Sequence, residues 1–200
     1  MKKFRYGRTE IDHLKNRDRH LGAAIDEIGM IEREVRPDLF TALVASVASQ
    51  QISAKAAETV WQRMEERLKT ITPSSIAGAT PEEIQQCGMS MRKAGYIKGI
   101  GVAVTNGSLD LAGLHELSDD DVIARLSALN GVGIWTAEML LIFSMERPDV
   151  LSWGDLAIRR GMIHLYGKST IDRPAFERYR KRYSPYGSVA SLYLWELSHR

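Results

Sequence analysis

Leu129-Asn130-Gly131-Val132-Gly133-Ile134-Trp135-Thr136-Ala137 lies between two runs whose apolar residues recur at three- and four-residue steps, the spacing of helices that bury one face. Two glycines one residue apart let the chain reverse sharply and present no side chain to hold a neighbouring surface away. The N–H groups of Gly131 and Gly133, with those that open the following helix, are expected to point outward as a site for an anion. On the tripeptide alone a plain helix-to-helix turn is the commoner explanation, because short glycine turns between helices are frequent.

The same periodicity runs through most of the chain, and no sustained alternating run of β-branched residues suggests a large sheet. The class is all-α. The spacing predicts helices over roughly 10–28, 37–49, 53–69, 73–78, 81–87, 90–99, 119–128, 133–146, 155–166, 173–183 and 186–198. Several starts have a local cause. Thr80 can cap free N–H groups, Pro81 suits the first turn and Glu83 stands where a capping box needs it. Ser118 precedes three acidic residues, Asp119, Asp120 and Asp121, that face the positive end of a helix dipole. Gly88, Gly101 and Gly167 each follow a helical pattern and are expected to end it through a left-handed turn.

With 200 residues and 44% hydrophobic content the chain can bury one substantial core or a core shared by two lobes. The net charge of +2 is uninformative, but its distribution is not: from Leu156 to Arg200 nine Lys and Arg face three Asp and Glu, an excess of six positive charges. One cysteine, Cys87, excludes an intrachain disulfide, a cysteine-held iron-sulfur cluster and a cysteine-rich zinc site. His13, His20, His115, His164 and His199 are scattered without metal-ligand spacing. Met1-Lys2-Lys3-Phe4 leads no apolar run, and no stretch is apolar enough to span a bilayer, so a cytoplasmic, reducing setting is expected.

The wider pattern reverses the odds on the glycine turn. The hairpin stretch, followed twenty residues after Trp135 by Asp155 in Trp153-Gly154-Asp155-Leu156, resembles the signature of the HhH-GPD superfamily of DNA glycosylases. Within it the likeness is greatest to the DNA-3-methyladenine glycosylase II group. Ser49-Gln50-Gln51-Ile52-Ser53-Ala54, Met89-Ser90-Met91-Arg92-Lys93-Ala94-Gly95-Tyr96 and Ser184-Pro185-Tyr186-Gly187 through Trp195 resemble further family segments in the family's order, over roughly residues 35–198.

The resemblance implies a two-lobed helix-hairpin-helix fold with the active site in the cleft between lobes, one lobe at approximately 35–145 and the other at 1–34 plus 146–200. It also implies a monomer acting on double-stranded DNA that contains damaged bases. The β-rich domain that the bacterial enzymes of this group usually carry ahead of the unit is not expected in a chain of this length.

Asp155 is the implied catalytic carboxylate. At the head of an amphipathic run an Asp is most often only an N-cap, and the two roles are compatible: the dipole favours the charged form, and an anion is what an oxocarbenium-like sugar needs. Trp135, Met139 and Trp195 are expected to line a pocket for a flipped base, with Trp153 at its mouth, although each taken singly is more often core. Gly131, Gly133, Thr136 and Arg159 are expected to contact DNA, Arg160 and Lys93 could add phosphate contacts, and Gln51 stands where a side chain would fill the gap left by the base. Where strand-cutting relatives carry a nucleophilic lysine this chain has Trp135, so water is the expected nucleophile.

No iron-sulfur cluster or zinc is expected; a sodium or potassium ion on hairpin carbonyls near Leu129 and Gly131 is left open. Two alternatives also stay open. One is a glycosylase for another lesion, such as uracil or a deaminated or oxidised purine. The other is a non-catalytic DNA-binding module, since the hairpin alone serves sequence-independent backbone contacts.

Overall fold

Helix signals in the sequence become twelve α-helices among residues 2–200, the residues that this computed structural model describes. α1 (Arg8–Arg17) and α2 (Arg19–Ile28) come first. They are followed by α3 (Leu39–Ser49), α4 (Ala54–Leu68), α5 (Pro73–Gly78), α6 (Pro81–Gln85), α7 (Met91–Thr105) and α8 (Asp119–Ser127), with a 3-10 turn at Gly113–Glu116. α9 (Ile134–Phe143), α10 (Leu156–Tyr166), α11 (Arg173–Tyr183) and α12 (Gly187–Leu197) complete the order. Pairing of β type is confined, among the described residues, to an isolated antiparallel bridge between Lys3 and Glu34. No helix among them is long and apolar enough to cross a membrane.

Local chemistry explains where the elements differ from expectation. The helix expected over 10–28 is two, because Asp18 takes an extended conformation and its Oδ1 accepts from the amides of His20 and Leu21, starting α2. The helix expected over 90–99 runs on to Thr105, and Gly101 is not its stop. It is buried inside α7, where an added Cβ would lie 2.6 Å from Ile76 Cγ2 and 2.9 Å from the Ala77 amide nitrogen. This glycine lets α5 and α7 touch, a demand that looks the same in sequence as a helix end. Gly88 and Gly167 do turn with positive φ, at 109° and 58°. Thr80 forms the capping box with Glu83, and Ser118 accepts from the Asp121 amide.

The chain divides into two compact units, one of Arg36–Leu140 and one of the described residues up to Val35 together with Leu141–Arg200. In the Arg36–Leu140 unit, α7 packs against α3, α5 and α6. Its lysines close its neighbours: Lys98 Nζ donates to the carbonyls of Ala77 and Ala79 at 2.7 Å each, at the C-terminal end of α5, and Lys93 Nζ donates to Ala48 at 3.0 Å and to Gln50 at the end of α3. Burial pushes the Lys93 ammonium below the usual lysine range.

In the other unit α12 is the buried element, with Val189, Ala190, Leu192, Tyr193 and Leu194 all buried and α1, α2, α10 and α11 against it. Its serines anchor the loop ahead of Asp155. Ser188 Oγ donates to Arg147 O at 2.6 Å and accepts from Val150 N at 3.0 Å, and Ser191 Oγ donates to Val150 O at 3.1 Å. Asp149 accepts from Ser184 Oγ at 2.5 Å and from Gly187 N at 3.0 Å.

Candidate active site

The candidate residues fall into two groups, one in each unit. In the Arg36–Leu140 unit the glycine turn divides its labour. Gly131 has a φ of 86°, and a Cβ on it would lie 2.3 Å from the Tyr96 ring, so its bare face is filled from inside by that ring. Gly133 is exposed, and a Cβ there would meet nothing within 4 Å, which leaves room for an external surface at the head of α9.

Gln50 holds the turn in place: its Nε2 donates to the Gly131 carbonyl at 2.8 Å. Sequence reading singled out Gln51 and gave Gln50 no role, because a bond spanning 81 residues has no local signal. Gln51 itself is exposed, with a φ of 58°, a left-handed conformation that costs a non-glycine residue on the order of 1 kcal/mol and is enriched at functional sites.

Ser46, Ser49, Gln50, Gln51, Trp135, Thr136 and Met139 line a recess of about 370 Å³. Trp135 is 48% exposed, so a large aromatic surface is presented rather than packed away. Thr136 is buried in the recess wall. The carbonyls of Leu129 and Gly131 each accept one hydrogen bond, from Val132 N at 3.1 Å and from Gln50.

In the second unit the N-cap of α10 is Asp155, buried at 6% exposure. Its Oδ1 accepts from Ala157 N at 2.8 Å and Ile158 N at 3.0 Å, and its Oδ2 accepts from Trp195 Nε1 at 3.2 Å. Trp195 is held in turn by stacking on Phe143, ring centroids 5.5 Å apart. Two backbone amides and an indole N–H therefore fix both oxygens of one carboxylate, while α12 supports the chain leading into it.

Trp153 lies beside this group. Phe176 meets it edge-on at 5.2 Å, and the guanidinium carbons of Arg159 and Arg173 stand 4.8 and 5.3 Å from its ring centroid. Arg159 Nε is buried and makes no hydrogen bond, so the ring is its main partner at that end. The sequence pointed to Trp153 and Arg159 separately. Their stacking, and the part of Arg173 in it, follow from α10 and α11 lying alongside the Trp153 turn.

Comparison with known proteins gives the chain a family. The family model described as HhH-GPD superfamily base excision DNA repair protein matches residues 44–185. DNA-3-methyladenine glycosylase 1 of Schizosaccharomyces pombe is 35% identical over 165 residues, covering 78% of this chain and 71% of that protein. Among solved structures, DNA-3-methyladenine glycosidase from Bacillus halodurans is similar at a TM-score of 0.88 and 35% identity, over 99% of this chain and 93% of the other. The 3-methyladenine DNA glycosylase of Schizosaccharomyces pombe in complex with abasic DNA is similar at a TM-score of 0.77 and 29% identity, over 94% and 96% of the two chains.

Proposed function

Since the chain belongs to the HhH-GPD superfamily of base excision DNA repair proteins, we propose that it is a monofunctional DNA glycosylase that hydrolyses the N-glycosidic bond of alkylated purines, with Asp155 as its catalytic carboxylate. The names of the similar proteins support the substrate class. The observation that carries the reaction is a buried carboxylate at a helix N-terminus with N–H donors on both oxygens.

An extruded base costs a few kcal/mol of stacking and pairing, and the enzyme must offer it a surface. The exposed indole of Trp135 and the polarizable thioether of Met139 supply one. An N-methylated purine is cationic, and a cation over an indole gains about 0.5–2 kcal/mol over a neutral base. As the bond from C1′ to the purine nitrogen breaks, its electron pair cancels the positive charge of the base, which leaves neutral without a general acid. Positive charge then develops on the sugar, and Asp155 stabilises it. Water adds to C1′ and releases a proton, leaving an uncut abasic strand. Trp135 has no amine that could attack C1′ and form a Schiff base.

The exposed turn at Gly133 and the first amides of α9 take a backbone phosphate of double-stranded DNA, and Gln51 fills the gap left by the base. Arg159 and Arg173, both over Trp153, give the second unit a positive edge toward the same polyanion.

The test is base release from methylated duplex DNA by wild type and Asp155→Asn side by side. Wild type releases 3-methyladenine or 7-methylguanine and leaves the strand intact until alkali is added. Asp155→Asn keeps the helix cap, since Asn serves about as well there as Asp. It binds DNA as before and loses on the order of 10²–10³ in turnover, the usual cost of removing one charge-stabilising group. Release by neither protein moves the reading to deaminated or oxidised bases, and silence on those leaves the non-catalytic binding module.

A further inference from the structure

The last turn of α1 and one face of α11 border an open, shallow recess of about 430 Å³, lined by Asn16, Arg17, Arg178, Lys181 and Arg182. Nothing in the glycosylase reading uses it. The ordinary account of such residues is that cations complement helix C-termini, and Arg17, Lys181 and Arg182 do lie in last turns. That account leaves out Arg178, which lies before that last turn, and does not explain why cations of two helices converge. Positions 178, 181 and 182 share one face of α11, at spacings where like charges repel.

Two further observations separate this recess from a solvated basic face. Arg173 and Arg180 on the same helix are both paired with Glu177, whereas among the described residues Arg17, Arg178 and Lys181 have no ion-pair partner. The fourth cation is fixed from beneath. Arg182 Nη1 donates to Asp18 Oδ2 at 2.7 Å, and the Asp18 side chain is fully buried and also accepts from Tyr166 Oη at 2.6 Å and from two backbone amides. A carboxylate so occupied orients one guanidinium and leaves the charge of the others uncompensated.

We propose that this recess is a second phosphate-binding site, which takes a backbone phosphate of the DNA flanking the lesion; the identity of the DNA rests on the function proposed above. Guanidinium forks suit phosphate oxygens, and the volume admits a phosphate with part of its sugar. Tyr166, which touches Asp18, ends α10, and Asp155 caps its start. The 11 residues of α10 span roughly 16 Å, so the recess stands well away from Asp155 and would serve flanking DNA rather than the target nucleotide.

The experiment compares wild type with Arg178→Gln/Lys181→Gln, two exposed side chains whose loss leaves the fold intact, as a thermal melt verifies. Affinity for a long duplex carrying a central abasic analogue is measured against salt, and inorganic pyrophosphate is titrated into each protein by NMR. The double variant is expected to make the slope of log affinity against log salt shallower by roughly 1, since each lost phosphate contact removes about 0.9. It is also expected to lose the pyrophosphate shifts. On a duplex trimmed close to the lesion the two proteins should coincide. Unchanged slope together with unchanged pyrophosphate binding overturns the site and turns attention to an acidic protein partner. Lost pyrophosphate binding with an unchanged slope overturns the DNA assignment and leaves a site for free phosphate. Wild type without DNA affinity defeats the glycosylase reading instead, and the pyrophosphate titration still decides the recess.

Discussion

The indole N–H of Trp195 reaches Oδ2 of Asp155 from 40 residues away, and this bond is where the chemistry of one residue depends on the placement of another. A hydrogen bond to a charged group is worth about 1.5–3 kcal/mol. Trp195→Phe keeps an aromatic ring against Phe143 and removes only the donor. The expected outcome is a fall in kcat of about tenfold or more with little change in KM or melting temperature, read from steady-state base release. An equal loss in melting temperature would mean that the indole is a packing residue and nothing more. The capping position of Asp155 was legible in Gly154-Asp155-Leu156, because a cap is made with amides two and three residues away. That an indole N–H would meet its other oxygen was not, since an aromatic at helical spacing says only that the position is apolar.

At the scale of elements, three helical or turn glycines that look alike in sequence serve different ends. A Cβ on Gly161 would lie 2.0 Å from the Leu194 carbonyl oxygen, so α10 and α12 meet backbone to backbone there, one residue before Trp195. Gly161→Ala must push the two helices apart. It is expected to cost about 3 kcal/mol or more, a loss of roughly 10 °C in melting temperature, and to lower base release along with it. Gly133→Ala is the contrasting case. Its Cβ meets nothing within 4 Å, so stability should change by less than about 1 kcal/mol while affinity for duplex DNA falls, because a methyl group stands at the proposed phosphate contact. A calorimetric scan and a binding isotherm on both variants check the pair. Gly101, read from sequence as a helix stop, belongs with Gly161: its reason is the neighbouring Ile76 and Ala77, which a local pattern cannot show.

At the scale of the molecule, Asp18 joins the junction of α1 and α2 to Tyr166 on α10 and Arg182 on α11. Burial alone would raise its pKa, but hydrogen bonds from Tyr166, the Leu21 amide and Arg182 outweigh it and hold the carboxyl below its ordinary value of 3.8. A depressed folded-state value stabilises the fold fully above that ordinary value and ceases to do so as pH falls through the lower one. Wild type should therefore lose stability below about pH 4. Asp18→Asn should be less stable at neutral pH and lose less in acid. Glu177, held low by its bond from Arg180, and Glu146, where burial is outweighed by Lys2 and Arg5, add to the acid loss in both proteins. The difference between the two melting curves across pH therefore isolates Asp18, and parallel curves would exclude it as the source.

What the sequence determined by itself is whatever depends on near neighbours. The helical class, most helix starts, the glycine turn, the position of Asp155 at the head of α10 and the family likeness all arise from residue types a few positions apart, where backbone geometry is dictated locally. Asp18 was missed at this level only because an Asp inside an apolar period reads as a solvated helix position until its buried partners are known. The tertiary structure alone decided the rest: Gln50 on Gly131, Trp195 on Asp155, Arg182 on Asp18, and the glycines where α5 meets α7 and α10 meets α12. Those contacts join residues from about two dozen to 164 positions apart, and their energies come from burial and from paired polar groups. Neither leaves a mark on either local segment.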